Sequence, residues 1–64
     1  MKPGKITWYA VITEENDYPE TIGGAYTLPE AYQIGRELLH QYPDAYIQGV
    51  DLERREIIGI YNDL

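Results

Sequence analysis

Thr27-Leu28-Pro29-Glu30-Ala31-Tyr32-Gln33-Ile34-Gly35-Arg36-Glu37-Leu38-Leu39-His40-Gln41-Tyr42-Pro43 reads as a helix with both boundaries marked. Thr27 followed three residues later by Glu30 has the spacing of a capping box. Pro29 stands in the first turn, where its missing N–H has no intrahelical partner to lose. Leu28, Ala31, Tyr32, Gly35, Leu38, Leu39 and Tyr42 fall at offsets 0, 3, 4, 7, 10, 11 and 14, which is one apolar stripe. Glu30, Gln33, Arg36, Glu37, His40 and Gln41 occupy the opposite face. Gly35 weakens the helix intrinsically but lets its backbone approach a sheet closely. Pro43 ends it, because the residue before a proline is pushed out of the α region.

Working outward from the helix, strands are predicted on both sides. Upstream, Lys5 to Thr13 alternates, with Ile6, Trp8, Ala10 and Ile12 as the better core face and Thr7, Tyr9, Val11 and Thr13 as the other. Glu14 to Glu20 is a loop by composition, with four carboxylates, one Asn and one Pro. Thr21 to Tyr26 is a weaker strand whose Gly23-Gly24 pair suggests a bulge, an edge or the close approach of another surface. Downstream, Ala45 to Leu52 and Ile57 to Tyr61 form a hairpin with a polar tip, Glu53-Arg54-Arg55-Glu56, that lacks the Asn-Gly or Asp-Gly of a two-residue turn. Asn62-Asp63-Leu64 is a short polar end. The expected architecture is α+β in one domain over 1–64: a single helix on one face of a small, mainly antiparallel sheet, in the order β-β-α-β-β.

Composition bounds the chemistry. Sixty-four residues hold 11 acidic and 5 basic side chains, for a net charge of −6, with one His and no Cys. A chain this short buries only about 60% of its unfolded surface. Disulfides and cysteine–zinc sites are excluded, so association with another chain is the expected support and a homodimer the expected state. No apolar run is long enough to span a bilayer, and the basic start of the chain leads into Ile6-Thr7-Trp8-Tyr9 rather than a leader's apolar core. The cytoplasm is the expected compartment. Five scattered cations make no phosphate track, so direct nucleic-acid binding is not expected.

Catalytic constellations are equally scarce. His40 lies on the polar helix face near a C-terminus, where positive charge suits the dipole. There is no Ser or Cys to pair with it as a nucleophile. The carboxylates of residues 14–20 lack the ligand order and central Gly of an EF-hand, and the Gly23-Gly24 pair matches no phosphate-binding loop. No enzyme activity, cofactor or metal is expected.

The aromatics point elsewhere. Seven Tyr and one Trp occur with no Phe. A buried Tyr hydroxyl needs a partner, so several tyrosines belong at the rim of the core or on the surface, as at protein interfaces. The leading expectation is a non-enzymatic module that occludes a protein partner with a basic surface. Its candidate residues are Glu14, Glu15, Asp17, Tyr18 and Glu20 in the loop, with Tyr9 and Tyr46 on the sheet face away from the helix. In size, acidity, tyrosine content and lack of catalytic residues the chain resembles small phage or mobile-element inhibitors of a host defence or nucleic-acid enzyme, and bacterial toxin-immunity proteins. The alternative is an oligomer that sequesters a small ligand through Gly23, Gly24, Arg54 and Arg55.

Overall fold

A computed structural model describes residues 4–64; Met1-Lys2-Pro3, where the reading of a non-leader N-terminus begins, lie outside the described residues. Five elements follow in the expected order: β1 (Trp8–Thr13), β2 (Glu20–Ala25), α1 (Leu28–Leu38), β3 (Tyr46–Asp51) and β4 (Glu56–Tyr61). All strand pairs are antiparallel, in the order β2-β1-β3-β4, and α1 packs across β2, β1 and β3. The Thr27 hydroxyl accepts from the Glu30 N–H at 3.4 Å, so the capping residue works as its spacing predicts. The helix stops at Leu38, short of Pro43. The Gln41 and Tyr42 N–H groups both bond to the Leu38 carbonyl, tightening the chain into a turn before Pro43.

The face of β1 that meets the helix is the opposite of the expected one. Val11 is fully buried in the helix-side core with Ala25, Ala31, Ala45 and Ile47, and Tyr9 packs against that cluster. Both alternating sets of β1 are rich in apolar residues, so period alone does not choose between them. Sterics do. Ile34 and Leu38 close down over Gly23, beside Val11, leaving a shallow row that fits Val11 and Ile47. Trp8 takes the other face and lies against Gly24, where a Cβ would overlap its ring. Ile6 leaves its expected set as well: it covers Gly49, which alternates with Ile47 on β3.

Gly35 also has a different occupant from the expected one. Its bare backbone receives the Leu64 side chain rather than the sheet. Asp63 accepts a 2.6 Å bond from the Tyr32 hydroxyl, which holds the terminal residues against α1. That bond and partial burial raise the Tyr32 pKa. The polar end of the sequence therefore carries one apolar anchor.

Two aspartates close the ends of β3. At one end the Asp44 carboxylate accepts from the Thr13 hydroxyl at 2.6 Å and the Glu14 N–H at 2.8 Å. At the other, Asp51 Oδ1 accepts from the Glu53 and Arg54 N–H groups, and Oδ2 from that of Lys5. Asp51 thus fixes the hairpin turn by its side chain, the task an Asn-Gly pair performs through backbone freedom. Arg55 completes the turn with φ of 56°, in the left-handed region.

Candidate protein-docking site

The hairpin tip between β1 and β2 is built from carboxylates that are held in place. Asp44 fixes its first residue through the Glu14 N–H, and the Asp17 N–H closes a turn onto the Glu14 carbonyl at 3.1 Å. Asp17 adopts φ of 70°, a conformation its short polar side chain tolerates better than most. Asn16 Nδ2 donates to Glu20 Oε2 at 3.1 Å across the base of the tip, and the Tyr46 hydroxyl donates to Glu14 Oε2 at 2.9 Å. Tyr18 projects with 59% of its surface exposed. The structure thus brings Glu14, Asp17, Tyr18, Glu20 and Tyr46 to one end of the sheet, with Glu15 on the same turn.

The electrostatics of this end follow from its hydrogen bonds. The Thr13 hydroxyl and then the Glu14 N–H hold the Asp44 carboxyl below its ordinary range. Burial first, and then the bond and charge of Glu14, push the Tyr46 hydroxyl up, so it remains a donor. Among the described residues no group of three or more Asp, Glu or His converges as a metal site. No helix among them is long and apolar enough to cross a membrane.

Tyr9 does not join this surface. It packs on the helix side with its ring centroid 6.2 Å from that of Tyr61, whereas Tyr46 takes the expected open side. The four residues of the sequestering alternative do not share one surface either. Gly23 lies under α1, Gly24 lies under Trp8 on the opposite face of β2, and Arg54 and Arg55 form the β3–β4 tip. A cavity of about 550 Å³ opens instead at the acidic end, between Leu39, Pro43, Ala45, Ile60 and Leu64 and the polar groups of Glu14, Asp44, Tyr46 and Asn62.

Of the sheet face opposite the helix, sequence reasoning placed Tyr46 correctly and missed the apolar rows beside it. By register its rows are Trp8, Ala10 and Ile12 on β1, Tyr46, Gln48 and Val50 on β3, and Ile57 and Ile60 on β4. Ala10 and Ile12, on an inner strand, are buried; Ile57 and Ile60, on the edge, are each 58% exposed. The signal was present in Ile57-Ile58-Gly59-Ile60-Tyr61, a nearly unbroken apolar run of the kind that marks a strand covered on both faces. Comparison with family models, curated proteins and solved structures finds no match to this chain.

Proposed function

We propose that the chain is a non-enzymatic binding module that covers a basic surface of a protein partner with its β1–β2 tip. One observation carries this reading: the tip presents Glu14, Glu15, Asp17 and Glu20 around an exposed Tyr18 on a turn braced by Asp44, Asn16 and Tyr46. Bracing lowers the entropy lost when such a turn is immobilised against a partner. A Tyr with a wet hydroxyl and an apolar ring is a suitable anchor at the centre of a polar rim. The narrower form of the reading is occlusion of a nucleic-acid enzyme's basic groove, with the carboxylates standing where phosphates would lie.

Affinity capture from the native host with the full chain and with its Tyr18→Ala and Asp17→Lys variants tests the assignment. A partner held by the parent chain, released by salt and lost with either variant supports it. A partner retained equally by all three chains removes the tip from the interface. Sequestration of a small ligand has one observation in its favour, the cavity beside Glu14 and Asp44, whose apolar walls and carboxylate rim suit an amine with an apolar body. Native mass spectrometry of the captured protein distinguishes a retained small molecule from a retained protein.

A further inference from the structure

We infer that two copies of this chain pack through their open sheet faces with strands antiparallel, so that Trp8, Tyr46, Val50, Ile57 and Ile60 of each copy are covered by the other. The face is unlike the rest of the molecule. A quarter of the residues are charged, yet every paired position of β1, β3 and β4 on this side is uncharged. Only Gln48, between Ala10 and Ile60, and the outer end of Tyr46 are polar. Ile57 and Ile60 are more exposed than buried among the described residues.

Three observations select a second copy as the occupant. The first is the size of the core: its buried apolar residues are Ala10, Val11, Ile12, Ala25, Ala31, Ala45 and Ile47, of which the majority are alanines. Small side chains bury little area, so the folded chain benefits from a cover that is always present, and a second copy meets that condition wherever the protein is made. The second is area. Four strands about 4.8 Å apart and six residues of about 3.3 Å each give a face roughly 20 Å on a side. Joining two such faces removes on the order of 1,000 Å² from water, about the least that a specific pair needs.

The third is the distribution of charge, which also sets the orientation. Because β1 and β3 run antiparallel, the two hairpin tips lie at opposite ends of the sheet. Glu14, Glu15, Asp17, Glu20 and Asp44 gather at one end, while at the other Lys5, Arg54 and Arg55 stand among Asp51, Glu53 and Glu56 and balance their charge. Antiparallel packing places each acidic end over the other copy's charge-balanced end; parallel packing would oppose one carboxylate cluster to the other. Pairing along the β4 edge is a weaker arrangement, since a register shift opposite Gly49 and Val50 disturbs that strand and bulges protect edges from pairing.

Sedimentation of the full chain from low micromolar to millimolar concentration, with the emission of Trp8, the only Trp, recorded in parallel, tests the inference. The expected result is a dimer at micromolar concentration whose formation shifts Trp8 emission to shorter wavelength. Ile60→Lys is expected to stay folded by circular dichroism and to remain monomeric. Gln48→Glu, which keeps the shape of the side chain, is expected to weaken association by about a hundredfold by burying charge, and serves if Ile60→Lys does not fold. Arg55→Glu is expected to weaken association several-fold at low salt and to match the parent at high salt. A monomer at every concentration overturns the inference, as does a dimer whose formation leaves Trp8 emission unchanged and is insensitive to Gln48→Glu. Arg55→Glu associating more tightly than the parent overturns the antiparallel orientation. None of these readouts involves a partner for the acidic tip, so their failure leaves the docking reading intact.

Discussion

The two faces of one sheet are made from similar residues and used in opposite ways. On the helix side Val11 and Ile47 have no exposed surface, and the buried polar residues of this layer, Thr13 and Asp51, have hydrogen-bond partners. On the open side Trp8, Val50, Ile57 and Ile60 are at least as bulky, yet Ile57 and Ile60 are each 58% exposed among the described residues. The difference teaches that hydrophobicity alone does not say where a core lies. The helix can descend only where the sheet is low, and Gly23 and Ala25 make β2 low on one side. One face is thus sealed by α1, and the other keeps Ile57 and Ile60 exposed.

The sharpest test of this division sets Ile47→Ala against Ile60→Ala. Ile47 is enclosed on every side, so truncation leaves a cavity and is expected to cost about 2–5 kcal/mol at any protein concentration. Ile60 in the isolated chain faces water, so its truncation changes monomer stability by no more than about 0.5 kcal/mol. Its effect is expected in the concentration dependence of the melting temperature, which reports association. Chemical denaturation of both variants at two protein concentrations separates these contributions. Equal, concentration-independent losses would erase the distinction between the faces.

Gly24→Val comes next. A Cβ there overlaps the Trp8 ring, so the indole must lift from the sheet. Overpacking of this kind is expected to cost about 1–3 kcal/mol and to shift Trp8 emission to longer wavelength as the ring enters water. A stable variant with unchanged emission would show that Trp8 does not depend on Gly24 for its seat.

How far the sequence revealed this arrangement depends on whether the information is local. Thr27, Pro29 and the spacing of Leu28, Ala31, Leu38 and Leu39 act within a few turns of one element, so the helix and the strand order around it were legible. The choice of face for β1 was not, because it is decided by Gly23 and by Ile34 and Leu38, residues distant from Trp8 and Val11 in sequence. Leu64 over Gly35 is a similar long-range contact that no periodicity announces. Of the candidate site, the acidic tip was legible because its residues are contiguous. Of the open face only Tyr46 was legible, since the surface takes two or three residues from each of three strands.

Arg55→Gly is expected to have a smaller effect of opposite sign. Arg55 holds a left-handed conformation that an L side chain enters at a cost of about 1–2 kcal/mol and glycine enters freely. The substitution is expected to raise monomer stability by about 1 kcal/mol, less the entropy glycine restores to the unfolded chain. It also removes a cation from the end expected to face the other copy's carboxylates. Monomer stability should therefore rise while association weakens slightly at low salt, and a simultaneous gain in both would contradict the assigned orientation.

The mildest perturbation is acid, and it reads the helix side and its two ends, since the open face carries no carboxylate. Backbone N–H donors from the β3–β4 turn, Arg54 foremost, hold the Asp51 carboxyl below its ordinary range, and the Thr13 hydroxyl does the same for Asp44. Both groups release their protons more readily in the folded chain than in the unfolded one. Their stabilisation is complete above the unfolded carboxyl pKa of about 4 and is lost as pH falls through the lower folded values. The melting temperature is expected to stay level with respect to these two groups from pH 7 to about 5 and to fall below about pH 4. Asp51→Asn is expected to lower it at pH 7 and to flatten the acid limb, because an amide oxygen accepts from the turn without the charge that titrates. An unaltered acid limb in both Asp51→Asn and Asp44→Asn would assign the acid sensitivity to the exposed carboxylates of the tip instead.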